Sequence, residues 1–257
     1  MRRLLQVSAG LLLVAAGAAT AAAQREPTVQ KELRERFGEW AERYPADMPS
    51  YSALETVEQT RWDRKGNAGE PRRAVFRYVL KRTGERREWV ETRLAPEKEN
   101  ASTAAKGTNL VPSGREAPAF GNLPYDLFTK LPMLISRLAT RNQEKMRFFF
   151  LPDETDAVSD LVVIGYRQMS GEGLMEVDGK PSYPTGRAWI DPEEGRVVRM
   201  EEEFGGKDTR YWIAIDNTLD QGERGWLPVK ISIRLFEKGR LEVQNNYTYS
   251  EIRILKD

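Results

Sequence analysis

The chain contains neither cysteine nor histidine in its 257 residues. Those two absences remove a Ser-His-Asp triad, a thiol nucleophile, any disulfide and an ordinary zinc site. A surplus of one charge is missing too: 40 basic residues face 39 acidic ones. Nothing here asks for nucleic acid, whose phosphates need a basic excess. Charged residues make up 31% of the chain, above the globular average of about 25%, which points to a well-solvated surface. The length suits one large all-β domain or two small ones and is sufficient for a true core.

The long apolar run is confined to the start. Met1-Arg2-Arg3 is followed by Leu4 to Ala19, rich in Leu, Val and Ala, and then by Ala21-Ala22-Ala23. A positive start, a short apolar stretch and a small-x-small site make a secretory signal peptide, with cleavage near Gln24. The strongly apolar part is too short for a membrane anchor. No cysteine follows it, so acylation of a cysteine is ruled out. The expectation is a leader over 1–23 and a single domain over 24–257, periplasmic or secreted. A domain in that oxidising setting, without cysteine, is held together by packing alone.

Val29, Leu33, Phe37, Trp40 and Tyr44 recur at steps of three and four among charged neighbours. This predicts an amphipathic helix, with Pro27 near its start and Pro45 forcing its end. The period then changes to two. Ala74, Phe76, Tyr78 and Leu80 alternate with Val75, Arg77, Val79 and Lys81, as do Val229, Ile231, Ile233 and Leu235 with Lys230, Ser232, Arg234 and Phe236. Strand-like runs also cover Leu54–Trp62, Arg86–Leu94, Lys145–Leu151, Asp160–Gln168, Gly186–Ile190, Arg196–Phe204, Thr209–Asp216 and Arg240–Leu255. Gly-containing pairs such as Asp178-Gly179 and Lys238-Gly239 sit between runs at hairpin spacing. No long helix separates the later strands, so the sheet is predicted to be an antiparallel meander. Two segments interrupt it: a loop-like stretch over 96–122, and an apolar-faced helix from Pro124 to Arg141 that Pro132 should kink or divide. No internal repeat is present.

Carboxylates are the main titratable groups left. Asp153, Glu154, Asp156 and Asp160 crowd one loop, but no glycine stands at the sixth position of a calcium loop, and a solvated hairpin tip is the reading. Alternation puts Glu202 on the opposite face from Glu201 and Glu203. Mutual repulsion could raise a pKa there, but an exposed edge strand carries such charges to discourage pairing. Two carboxylates flanking a sugar would make a glycosidase, a requirement that any chain with 39 acids meets. Ser102 and Lys106 miss the spacing of a Ser-x-x-Lys hydrolase, and Gly171-Glu172-Gly173 lacks the third glycine of a dinucleotide site. The sequons at Asn100 and Asn246 are too common to weigh.

The aromatics remain. Phe76, Tyr78, Trp89, Phe148, Phe150, Trp189 and Trp212 all fall on strand-like runs, as do Trp62, Phe149 and Phe236. Large residues on strands are usually core, each contributing roughly 1.5–3 kcal/mol when buried. A curved sheet lined by them could instead enclose an apolar cavity, with the two helices as a cover. Those first seven are the candidate lining.

Trp189-Ile190-Asp191-Pro192-Glu193-Glu194-Gly195-Arg196-Val197-Val198-Arg199 resembles the strand-turn-strand of the outer-membrane lipoprotein carrier (LolA/LolB-like) superfamily. Trp226-Leu227-Pro228-Val229-Lys230 and Tyr247-Thr248-Tyr249-Ser250-Glu251-Ile252-Arg253 are similar to uncharacterised secreted bacterial members of the same build. The order of leader, helix and first strands agrees with that superfamily. The resemblance implies a mainly β (α+β) fold: an antiparallel meander forming an incompletely closed half-barrel around two helical segments. It implies an apolar cavity that in the carriers holds acyl chains, and the 96–122 insertion is the departure. The turn has a local cause of its own, since Asp191 can bond the backbone ahead, Pro192 presets φ and Gly195 supplies a positive φ. No functional arginine of the carriers finds a match here. The functional expectation is a non-catalytic binder or carrier of a hydrophobic ligand, a lipid or a lipoprotein acyl chain. The alternative is a structural or interaction module of the cell envelope whose core is filled by its own side chains. Neither reading calls for a cofactor or a metal; envelope proteins are candidate partners.

Overall fold

Alternating side chains require a sheet with one face buried, and the computed structural model supplies that face. It describes residues 29–83, 88–94, 131–151, 160–173, 175–177, 180–219 and 226–255. The predicted leader over 1–23 and loop over 96–122 lie outside the described residues, as do Asp153, Glu154 and Asp156. Each of the ten expected strand runs is a strand, within a few residues at its ends. They are β1 (Tyr51–Arg61), β2 (Arg72–Thr83), β3 (Glu88–Leu94), β4 (Met146–Phe150), β5 (Val162–Gln168), β8 (Thr185–Ile190), β9 (Val197–Gly205), β10 (Thr209–Leu219), β11 (Trp226–Glu237) and β12 (Arg240–Ile254). The short strands β6 (Met175–Val177) and β7 (Lys180–Ser182) pair only with each other.

The ten strands form one antiparallel sheet in the order β3-β2-β1-β12-β11-β10-β9-β8-β5-β4, with β3 and β4 as its two edges, so the sheet is not closed. From β8 to β12 it is the expected meander. The joint is non-local: β1 lies along β12 in a register from Tyr51 opposite Ile254 to Arg61 opposite Val243. One expectation needs correction. Strand β9, which carries Glu201, Glu202 and Glu203, lies inside the sheet between β8 and β10, so these carboxylates do not guard an exposed edge. Pro228 sits within an internal strand because the β10–β11 register slips beside it, between Asp216 and Asn217, and a bulge removes the need for its missing N–H.

The inner face buries Ala53, Val57, Ala74, Phe76, Ile164, Met200, Ile213, Ile231 and Ile233 in one cluster with the helices. Helix α1 (Lys31–Asp47) contributes Phe37 and Tyr44 from the predicted stripe, together with Ala41. Pro45 lies in its last turn rather than beyond its end: there a proline removes one hydrogen bond without blocking the carbonyls that follow. The second helical region is described from Leu131, as α2 (Leu131–Ser136) followed by a 3₁₀ turn over Thr140–Lys145.

Polar bonds fix α1 to the sheet. The Arg82 guanidinium of β2 donates to Ala46 O at 2.6 Å, to Met48 O at 3.2 Å and to Pro45 O. A cation there satisfies the carbonyls that a helix end leaves open. Gln143 Nε2 donates to Arg34 O at 2.9 Å, tying α1 to the 3₁₀ turn. Arg36 Nη1 donates to Pro192 O at 2.7 Å, in the turn between β8 and β9. Asp191 Oδ1 accepts from the backbone N–H of Glu193 at 2.9 Å and shapes that turn. Gly195 completes it at φ +71°, and a Cβ there would lie 2.5 Å from the carbonyl carbon of Arg36. A left-handed conformation and a backbone-to-backbone approach thus coincide at one glycine. Gly195→Ala is expected to destabilise the fold by about 2–3 kcal/mol, the sum of φ strain and overpacking. Urea unfolding would show a lower midpoint at an unchanged slope.

Candidate functional site

The structure distributes the seven candidate lining residues over four places. Phe76 and Tyr78 project from β2 into the core and are fully buried, beneath the β1–β12 side of the inner face. Trp89, on the edge strand β3, is half-buried with Arg82 4.7 Å above its ring. Phe148 and Phe150 lie on β4, half-buried against the same core. Trp189 and Trp212 do not share that face. Their neighbours Ala188, Ile190, Tyr211 and Ile213 point inward, so both tryptophans point outward.

On the outer face the cross-strand registers build two ladders. Trp189, Arg199, Asp216 and Lys230 stand opposite one another in turn, as do Glu203, Trp212, Arg234 and Gln244. Arg187 and Arg199 lie 5.5 and 5.3 Å from the Trp189 ring, and both hold Glu201 at 2.6 Å. Arg234 lies 4.3 Å above Trp212. Such cation–π and cross-strand pairs stabilise a solvated face. An outer depression of 380 Å³ borders Phe149, Arg187 and Trp212.

Part-buried apolar residues packed on the core occur at Trp89, Trp226, Ile252 and Ile254, and along one seam between α1 and the β4–β5 edge. Leu33 and Trp40 of α1, Met146, Phe148 and Phe150 of β4, and Val162 of β5 pack against the core while remaining part-exposed. The ring of Phe37 meets Phe148 edge-on at 5.4 Å and holds the middle of this seam. Each end opens into a cavity. One, of 270 Å³, lies between Val29, Leu33, Phe150, Val162 and Pro192. The other, of 610 Å³, lies between Leu134, Arg137, Lys145, Met146 and Gln168. Val162 and Gln168 are the two ends of β5, so the openings stand about 20 Å apart at about 3.3 Å per residue.

Near Arg137 of the second cavity lies a buried polar pair, Tyr166 and Glu202, which also borders the outer depression. Glu202 of β9 is 2% exposed on the inner face, where Gly186 stands opposite it. A Cβ on Gly186 would come within 2.5 Å of the Tyr166 hydroxyl; its absence lets that phenol reach Glu202. The Tyr166 hydroxyl lies 3.1 Å from Glu202 Oε1, to which it donates. Arg137, just past α2, donates through Nη1 to Gln168 Oε1 at 2.6 Å. Gln168 Nε2 is itself held by the carbonyls of Ser170 and Glu172 at 2.8 and 2.7 Å. Glu202 Oε2 and Arg137 Nε are buried without a hydrogen-bond partner among the described residues. Burial raises the Glu202 pKa to about 7, against the lowering effects of the Arg137 charge and the Tyr166 hydrogen bond. The Tyr166 hydroxyl is pushed well above its ordinary value, by burial first and then by Glu202.

Arg137 and Gln168 were not among the sequence-derived candidates, and Glu202 was singled out for its neighbours rather than its position. A legible signal existed. Glu202 stands between Met200 and Phe204 in the buried phase of its strand, as Glu55 does between Ala53 and Val57. Glu55, fully buried, is answered by Arg93 through bonds of 2.5 and 3.0 Å. No cluster of carboxylates placed to hold a metal exists among the described residues.

No protein-family model and no curated protein matches the chain. Among solved structures, it is similar to a domain from Vibrio parahaemolyticus named for outer membrane lipoprotein sorting. The identity is 13%, covering 81% of this chain and 88% of that one, with a TM-score of 0.40. It is also similar to a LolA superfamily protein from Nitrosomonas europaea, at 10% identity, covering 90% and 94%, with a TM-score of 0.35.

The raised pKa of Glu202 sets a pH dependence. The folded protein binds this proton more tightly than the unfolded chain, whose glutamate titrates near its ordinary value of 4.5. The stability associated with protonated Glu202 is therefore complete below pH 4.5 and is lost as pH rises through about 7. Glu202→Gln keeps an acceptor for Tyr166 and removes the charge. The variant is expected to gain about 3 kcal/mol over the parent above pH 8 and nothing at pH 4. Equal stability of the two at pH 8 would disprove the assignment.

Proposed function

We propose that the protein binds the acyl chain of a lipid or lipoprotein in the seam between α1 and the β4–β5 edge, as a periplasmic or secreted carrier without catalytic activity. The observation that carries this is the place where packing stops short. Most of the inner face is closed by its own side chains, while part-buried Leu33, Phe148, Phe150 and Val162 mark one line with a cavity at each end. An apolar chain laid there would complete contacts that the protein leaves unmade. Each methylene removed from water contributes about 0.8 kcal/mol, so a long chain binds without polar specificity. In this reading Phe148 and Phe150 line the bound chain. Phe76, Tyr78 and Trp89 would matter through the core and the β3 edge, and the outward Trp189 and Trp212 would not touch the chain.

The full burial of Phe76 and Tyr78 favours a second reading, an envelope interaction module with a self-filled core. The two readings differ in solution. As a carrier, the purified protein is expected to bind a fluorescent long-chain fatty acid at one per chain. Leu33→Glu and Phe150→Glu should each weaken that binding at least tenfold and lower the melting temperature by only a few degrees, since both sites are part-exposed. If the parent protein takes up neither the fatty acid nor a hydrophobic dye, the interaction module is the correct reading.

A further inference from the structure

The cavity at the Gln168 end of the seam differs in chemistry from the one at the Val162 end. Its apolar wall, Leu134 and Met146, continues the seam, but two cations face it, Arg137 and Lys145. Lys145 forms no ion pair among the described residues. The same holds for Arg137, whose bond goes to the neutral amide oxygen of Gln168. That amide is fixed in turn by two backbone carbonyls, so the guanidinium is held at a set position on the cavity wall. The carboxylate behind Arg137 is Glu202, buried and only partly countered. The other acid at the cavity is Glu172, which is exposed. A fixed arginine with spare donors, a second unpaired cation and an apolar floor match an amphiphile whose polar end is an anion.

We propose that this cavity receives the anionic headgroup, a carboxylate or a phosphate, of an amphiphile whose acyl chain lies in the seam, with Arg137 as the primary contact and Lys145 as the second. The assignment rests on the acyl-chain reading above and adds its polarity: the head sits beside Arg137 and the tail runs toward Phe150. Hydrogen bonds to charged groups are stronger than those between neutral ones, enough for a clear preference over a neutral head on the same tail.

The test compares hexadecanoate, hexadecyl phosphate and hexadecan-1-ol by calorimetry below their aggregation limits. Both anions are expected to bind at least tenfold more tightly than the alcohol, and the tighter of the two identifies the headgroup. Arg137→Gln should bring the anions down to the affinity of the alcohol, and Lys145→Gln should weaken them severalfold. Glu202→Gln should strengthen them, since it removes the carboxylate that competes for Arg137. Because Arg137 borders a buried charge, Lys145→Gln on its part-exposed site serves as the check if Arg137→Gln fails to fold. Equal binding of alcohol and anions, or an anion preference that survives both variants, overturns the headgroup site and leaves the acyl-chain reading standing. Binding of none of the three overturns both.

Discussion

The fold depends on the ladder between β1 and β12. It joins one of the first strands to the last one, and without it the β3-β2-β1 unit and the β12-to-β4 run would be two separate sheets, each with an uncovered inner face. No disulfide or other crosslink helps, because the chain has no cysteine. The pairing is held by backbone bonds along most of both strands and by the side chains it brings together. Tyr247 and Tyr249 of β12 come to lie beside Val57 and Glu55 of β1; Tyr249 stands 5.1 Å from Tyr78 of β2; Gln59 donates to Asn245 at 3.0 Å. Closing so long a loop carries an entropic cost that grows only slowly with length, while the apolar surface gained grows with every strand added to the common face.

The strands were legible because alternation is a local property. Ala74, Phe76, Tyr78 and Leu80 declare their shared face without reference to anything else in the chain, and hairpin turns declare the partners from β8 to β12. The β1–β12 pairing has no such signal, since neither turn chemistry nor spacing relates residues two hundred positions apart. Facing was ambiguous wherever both phases of a strand carry large residues. Trp189 is flanked by Ala188 and Ile190, and Phe149 by Phe148 and Phe150, so size alone does not say which phase turns inward. The helices decide it: α1 offers Phe37 to Phe148, while the outer phase finds arginines that cover Trp189 and Trp212.

Two carboxylates inside an apolar face show how position governs charge. Glu55 receives a paired guanidinium from Arg93, which answers both of its buried oxygens. Glu202 receives a phenol on one oxygen and, among the described residues, no partner on the other, and burial raises its pKa to about 7. The difference lies in the second partner: Arg93 donates twice to Glu55, whereas Arg137 donates to the Gln168 amide oxygen. A guanidinium fixed by an amide and facing a half-neutralised acid keeps most of its field for whatever occupies the cavity beside it.

The contrast between the two sides of the inner face bears on how a chain could be taken in. Around β1, β2 and β12, strands support one another through ladders on both sides, and separating them would break backbone bonds together. Helix α1 is attached differently. Among the described residues its fixings include the Arg82 contacts at one end and single side-chain bonds at Arg36, Glu42 and Gln143, with apolar packing in between. Sliding an apolar chain under such a helix exchanges protein–protein contacts for protein–ligand contacts of the same kind and leaves every ladder intact. The edge strand β4 is short and pairs on one side only, so the seam lies where both of its walls have the fewest backbone bonds to lose.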